Sequence, residues 1–341
     1  MPTSDKHGGV VPTKPGLRKG YTTGVHASFA FKSALNCFLV TGLKSVSNTN
    51  KMDNDDLDVT KGAEIVVTIS DRLEDLELNP LKHSPYEIGS LRLYAGVGVG
   101  VVTKEGLRPQ KGFPAINPTP LEAIKKIYCR CDHVTHQNQT IYASISVTEG
   151  EFIAKQTANE KVGVIGGISI LGTTGFVKPI SADAYMNSIQ TELGVAKANG
   201  YKQAVLTLGN SSFAYAKEHY DEVQIVEIGN FVHDALAIVA KLEFDSAIFI
   251  CGIGKATKVM QGHKNTHNRF GQIDFIVLKE QIGKELNVTI DIDSTKTVKG
   301  ISTQLKTIDK LEPFYSMIAQ KTDEQLAHWF PKIENRTIIL K

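Results

Sequence analysis

The sequence predicts a two-domain chain: an N-terminal α+β domain followed by a Rossmann-like open α/β domain. Three observations predict it. From about Val162 onward, β-branched runs that end at glycine alternate with helical stretches, the pattern of a parallel sheet with crossover helices. Before that point strands are mixed with only two helical stretches, which reads as α+β. The length of 341 residues leaves room for two domains of roughly 150 residues each. The expected boundaries are a flexible tail over 1–16, the α+β domain over 17–155 and the open α/β domain over 156–286. A C-terminal α/β extension over 287–341 is assigned to neither domain.

Met1 to Gly16 is polar, carries Pro2, Pro12 and Pro15, and lacks the apolar centre of a signal peptide. Val25 to Val40 is apolar and Ala-rich and predicts a helix, with Thr22 and Thr23 as N-caps. Ser45 to Asp58 is polar and acidic and predicts an exposed, mobile loop. Ala63 to Ser70 and Ser90 to Thr103 predict strands, the second carrying Gly96, Gly98 and Gly100. Pro114 to Pro120 predicts a turn, Leu121 to Cys129 a short helix, and Ile141 to Val147 an alternating strand.

Val162 to Leu171 reads as a buried strand. It breaks at Gly172-Thr173-Thr174-Gly175, with Gly166 and Gly167 upstream, and Ser181 to Asn199 follows as a helix. The same grammar recurs three times. Gln203 to Leu208 ends at Gly209-Asn210, Val223 to Ile228 ends at Gly229-Asn230, and Ala247 to Cys251 ends at Gly252-Ile-Gly254, each with a helix after it. Ligands bind outside the carboxyl ends of such strands. A glycine there lets a ligand approach the backbone closely. The Gly172 turn is expected on the same edge.

Composition excludes several functions. A net charge of +2, with no basic stripe or aromatic-interleaved patch, gives no reason to expect nucleic acid. No uninterrupted apolar stretch suits a bilayer. Four cysteines and no secretory signal point to a cytoplasmic, reduced chain. The motifs G-x-x-x-x-G-K-[ST], strand-linked G-x-G-x-x-G and G-x-S-x-G are absent, which argues against a simple NTPase, a standard dinucleotide dehydrogenase and a common serine hydrolase.

Cys129, Cys131, His133 and His136 have metal-ligand chemistry. Four ligands within eight residues rarely surround an ion tetrahedrally, so no protein-bound metal is expected. The acidic residues Asp53, Asp55, Asp56 and Asp58 miss the calcium-loop spacing. Gln261 to Arg269 is polar and basic and predicts a loop. Its Asn265, Thr266 and His267 are candidates for contacting a polar ligand, and Lys255 and Lys258 nearby suit carboxylates.

Several ordered blocks resemble one family. They are Gly20-Tyr-Thr-Thr-Gly24, Asp58-Val-Thr-Lys-Gly-Ala-Glu64, Gly96-Val-Gly-Val-Gly-Val-Val-Thr103 and Pro114-Ala-Ile-Asn-Pro118. Gly166-Gly-Ile-Ser-Ile-Leu-Gly-Thr-Thr-Gly175, Gly229-Asn-Phe231 and Asn265-Thr-His267 follow. Together they resemble the cobalt-precorrin-5B C1-methyltransferases, the D protein of anaerobic cobalamin (vitamin B12) biosynthesis. The resemblance implies S-adenosylmethionine as methyl donor and a cobalt-containing, carboxylate-rich tetrapyrrole as acceptor, methylated at C1. A homo-oligomer is left open.

On that resemblance and the sheet-edge rule, the expected donor residues are Gly166, Gly167, Gly172, Thr173, Thr174, Gly175, Gly209 and Asn210, joined by Gly229, Asn230 and Lys255. The expected acceptor residues are Tyr21, Thr22, Thr23, Gly24, His26, Asn265, Thr266 and His267. No catalytic base is assigned. Two features depart from the family. Val25 and His26 stand where the family has Thr-Cys, and a hairpin between Gly42 and Asp58 is expected to be replaced by the polar loop. Both bear on the acceptor.

Overall fold

The computed structural model describes residues 20–53, 58–131, 139–172, 175–177, 182–292, 294–295 and 297–341. The protein is mixed α/β and divides into two compact units, Met1–Ala182 and Asp183–Lys341.

In the first unit the elements run β1 (Gly20–Tyr21), α1 (Thr23–Thr41), β2 (Ser45–Asn50), β3 (Glu64–Ser70), β4 (Tyr86–Ile88), β5 (Leu91–Ala95), β6 (Gly98–Val99) and β7 (Val101–Val102). Then come α2 (Pro118–Cys131), β8 (Ile141–Val147), α3 (Gly150–Ala154), β9 (Val164–Ile165), β10 (Gly167–Ile168) and β11 (Phe176–Val177). Thr22 caps α1, its hydroxyl accepting from the Val25 amide at 3.4 Å, as its position before the apolar run predicts. Gly42 closes the helix in the left-handed conformation. Ala27, Ala30, Phe31, Ala34, Leu35 and Phe38 form its buried stripe at helical spacing. That stripe packs on β2 and β3.

The sheet under α1 has the order β2-β3-β8-β5-β4. Alternate residues Ile65, Val67 and Ile69 of β3 and Ile141, Ala143 and Ile145 of β8 are buried. The loop expected over 45–58 is corrected here: Ser45–Asn50 is a strand, paired antiparallel with β3 from Ser45–Ile69 to Asn50–Glu64. It is an edge strand, and of its residues only Ser45 is buried, so it carries no apolar alternation to read. One strand of a pair therefore lies in this region, its partner being β3 at Glu64–Ser70. Asp55 and Asp56 lie outside the described residues.

The single strand expected over 90–103 is three strands. Gly98 has φ +78, and a Cβ built on it would lie well inside contact distance of the Val147 carbonyl oxygen. Gly150 and Gly167 press onto the backbone of Gly98 in turn. Strand β10 pairs parallel with β6, and β9 pairs antiparallel with β7. Val162–Leu171 is therefore not the first strand of the parallel sheet, as its pattern had suggested. The Gly166-Gly167 doublet breaks it into two short pieces, each paired with a strand of the first unit.

The second unit contains α4 (Ala182–Ala198), β12 (Gln203–Thr207), α5 (Asn210–His219), β13 (Ile225–Glu227), α6 (Val232–Lys241), β14 (Ser246–Gly252) and α7 (Ile253–Met260). It continues with α8 (Phe275–Leu286), α9 (Val298–Lys306), α10 (Leu311–Trp329) and β15 (Glu334–Leu340). Its sheet is wholly parallel, in the order β13-β12-β14-β15. Residues of the 287–341 segment thus supply the last strand of this sheet. Leu206, Val226, Ala247 and Phe249 of the sheet are buried with Leu193, Leu236, Val259, Phe314 and Ile318 of the helices. No helix among the described residues is long and apolar enough to cross a membrane.

Candidate functional site

The carboxyl ends of β12, β13 and β14 lie on one edge of the parallel sheet. The chain passes from β12 outward to β13, then returns across β12 to β14. The connections that leave β12 and β14 therefore run in opposite directions, the topology at which open α/β sheets bind ligands. Gly209 follows β12 and precedes α5, and Gly252 and Gly254 join β14 to α7. A Cβ built on any of these three glycines would meet nothing within 4 Å. Gly209 and Asn210 are exposed, and Gly209 has φ +96, a conformation that suits glycine.

Gly229, at the end of β13, differs. Its Cβ position faces the Tyr185 ring, with the phenol oxygen at 3.0 Å. The Tyr185 hydroxyl donates to the Glu227 carbonyl at 3.0 Å, and its ring packs on Phe231 at 5.7 Å. Burial, then the carboxylates of Glu227 and Glu192, push the phenol up to about 12. Sequence reasoning did not name Tyr185, Gly252 and Gly254 among the candidates at this edge. The two glycines were visible as a strand end, whereas nothing local marks a tyrosine on α4 as an edge residue.

Asn230 and Lys255 meet. The Lys255 ammonium donates to Asn230 Oδ1 at 2.8 Å and to the Thr266 carbonyl at 3.1 Å. Thr266 donates from its hydroxyl to Asn230 Oδ1 at 2.9 Å and from its amide to the Asn230 carbonyl at 3.0 Å. Asn265 and His267, expected on the acceptor side, sit in the same turn. Asn265 Oδ1 accepts from the His267 amide and His267 Nδ1 accepts from the Arg269 amide. Asn265, Thr266 and His267 thus belong to the second unit with Asn230 and Lys255, whereas Tyr21 to Gly24 and His26, with which they were grouped, belong to the first.

In the first unit the two threonine–glycine motifs interlock. The Thr22 amide donates to the Gly175 carbonyl at 3.1 Å and the Gly24 amide to the Leu171 carbonyl at 3.0 Å. Thr23 Oγ1 donates to the Leu171 carbonyl and accepts from the Leu171 amide. A Cβ on Gly172 would strike the Thr22 side chain, and one on Gly24 would strike Pro120. Gly166 presses on the Asn79 side chain. So Gly24, Gly166, Gly167 and Gly172 are each required by close packing. The segment expected to carry the donor is joined to the segment expected to carry the acceptor, both in the first unit. Thr173 and Thr174 lie outside the described residues.

His26 lies one turn into α1 and is 6% exposed. Its Nε2 accepts from the Met52 amide at 3.3 Å, which places the proton of the neutral ring on Nδ1. The Tyr21 ring meets it edge-on at 6.3 Å. Burial, then the Lys51 ammonium, lowers its pKa; Lys51 itself pairs with Asp58. Above about pH 6.5 the ring is neutral in the folded and unfolded chain alike. Below it the unfolded chain takes a proton that the folded chain resists, so stability falls, by at most about 1.4 kcal/mol per pH unit. His26→Gln keeps an acceptor for Met52 and is expected to flatten this loss, read as urea midpoints between pH 6.5 and 5. An unaltered slope would refute it.

Cys129 is exposed and Cys131 half-buried at the end of α2, both free thiols; His133 and His136 lie outside the described residues. Among the described residues no group of three or more His, Cys, Asp or Glu could hold a metal.

The CbiD family model matches residues 40–179. Cobalt-precorrin-5B C(1)-methyltransferase of Methanocaldococcus jannaschii is 32% identical over 84% of this chain and 76% of its own length. That of Methanococcus maripaludis is 38% identical over 77% of this chain and 73% of its own. The crystal structure of cobalamin biosynthesis protein CbiD from Archaeoglobus fulgidus overlaps at 25% identity, covering 74% of this chain and 83% of that one, with a TM-score of 0.34, too low to bear on the fold. With blocks from Gly20 to His267 in the family's order and relatives matched over three quarters of their length, the chain belongs to the cobalt-precorrin-5B C(1)-methyltransferase (CbiD) family.

Proposed function

We propose that the protein transfers a methyl group from S-adenosylmethionine to C1 of cobalt-precorrin-5B, with the donor held at the carboxyl edge of the second unit's sheet. The observation that carries the placement is the open trio Gly209, Gly252 and Gly254. No packing contact of the fold demands glycine at these points. They flank the crevice of a Rossmann-like sheet, where a nucleoside can approach the backbone. Asn210 offers an exposed amide beside it, and Tyr185 with Phe231 offers an aromatic surface at the neighbouring strand end.

The donor supplies an electrophilic methyl on a sulfonium, and sulfur departs as a neutral thioether. The protein's task is to hold sulfur, methyl and carbon in line. Orientation alone supplies a large part of such a barrier reduction, so no nucleophile–base pair is needed. The cobalt arrives as part of the acceptor. In the first unit, Tyr21 (37% exposed) is the proposed acceptor contact, whereas His26 is buried with its Nε2 engaged by the Met52 amide and acts behind it. The backbone donors of Thr22 and Gly24 are engaged with residues 171–175. Incubation with methyl-labelled donor and cobalt-precorrin-5B is expected to place label on the macrocycle. Donor binding without transfer would leave a diverged acceptor or a non-catalytic nucleotide-binding protein as the better reading.

A further inference from the structure

Two lysine ammonium groups, those of Lys255 and Lys258, stand one turn apart on α7. Lys258 is 5% exposed. It donates to Asn268 Oδ1 at 2.8 Å, to the Gly271 carbonyl at 2.9 Å and to the Thr266 carbonyl at 3.3 Å. Lys255 is half-buried, with two neutral acceptors, Asn230 Oδ1 and the same Thr266 carbonyl. Among the described residues neither ammonium has a carboxylate partner. Burial lowers the pKa of both, and Lys258 adds to the effect on Lys255. A buried charge answered only by dipoles is costly. An arriving carboxylate would offset that cost and form a charge-assisted hydrogen bond.

The two lysines differ in what they can still do. An ammonium has three N–H donors. Lys258 spends all three on the 266–271 segment. Lys255 spends two and, being half-buried, has one left for a further acceptor. Both partners of Lys255 are fixed by the segment that Lys258 pins, because Thr266 is itself tied to Asn230. Lys255 also follows the open glycines Gly252 and Gly254 directly in α7. Resting on the ligand edge proposed above, we infer that Lys255 is the anchor of a carboxylate-binding subsite at this edge, and that Lys258 is the positioning residue that fixes its geometry through residues 266–271. The carboxylate belongs to the aminoacyl end of the donor or to the periphery of the tetrapyrrole.

Calorimetry on the full chain separates the two sources. One pair of probes is S-adenosylhomocysteine and 5′-methylthioadenosine, which lacks the carboxylate. The other is cobyrinic acid and its hepta-amide. Lys255→Met is expected to weaken the carboxylate-bearing member of one pair by about 10- to 100-fold and to leave its neutral counterpart unchanged. The pair that responds identifies the source. Asn268→Ala, which removes one acceptor from Lys258, is expected to weaken the same probe by a smaller factor, again sparing the neutral one. The inference is overturned if wild-type protein binds the probes but neither pair shows a carboxylate preference, or if folded Lys255→Met retains that preference in full. Wild-type protein that binds none of the four probes overturns the proposed edge itself, and this subsite with it.

Discussion

Gly98→Ala is expected to cost more than about 4 kcal/mol, enough to prevent accumulation of folded protein. Three backbones converge at this residue. The β6 strand passes so close to Val147 that a Cβ on Gly98 would overlap the Val147 carbonyl oxygen, and Gly150 and Gly167 lie against the backbone of Gly98 from other sides. The atoms that a Cβ on Gly98 would meet, the Val147 carbonyl and the Gly150 amide nitrogen, are main chain, which cannot rotate aside as a side chain can. The residue also sits at φ +78, where an L side chain adds its own strain. Relief would require β6 to leave β10, to which it is paired at Gly98–Gly167. Gly112→Ala serves as the control. It shares a positive φ of +84 but a Cβ there meets nothing within 4 Å, so its cost is the local strain of about 1–2 kcal/mol. Urea denaturation of both variants checks the claim. Equal losses would show that conformation and not backbone packing makes Gly98 necessary.

This glycine contact also marks where sequence reading stopped. The strands β12, β13 and β14 were legible because each is a short β-branched run closed by glycine and followed by a helix. Those signals are local. Val162–Leu171 carries the same local signals, yet its partners are β6 and β7, more than sixty residues earlier. The clue was the glycine doublet at 166–167, since glycine inside a strand marks a close backbone approach. Strand β2 was hidden because a solvated edge strand needs no apolar alternation. Strand β15 was hidden as a partner of β14, because no local pattern names a neighbour more than eighty residues away. At the site, the glycines were seen but not sorted. Gly166, Gly167, Gly172, Gly209 and Gly252 look alike as letters. Only the neighbours of each missing Cβ divide those that pack the fold from those that face open space. Substitution at Gly172 would therefore report on folding, because its Cβ would enter the Thr22 side chain.

Gly254→Ala is expected to leave the fold intact and to abolish most donor binding. The residue lies in the first turn of α7, in helical conformation, and a Cβ there meets nothing within 4 Å. Alanine is the better helix former by up to about 1 kcal/mol, so the melting temperature should hold or rise. Gly252→Ala is equally permissible to the fold, at φ −78 and ψ 156 with open space around it. If a nucleoside lies against this backbone, each added methyl occupies ligand volume in a rigid cleft. Overpacking of that kind costs about 1–3 kcal/mol, so S-adenosylhomocysteine affinity should fall by roughly 10- to 100-fold. The opposite signs of the two effects make the test specific. A mutation that damages the site by unfolding it lowers stability and binding together. Here binding falls while stability does not, which only a ligand-facing glycine produces. Unchanged affinity in both variants would move the donor away from the β14–α7 junction. Gly209 would then be the remaining open glycine at that crevice to examine.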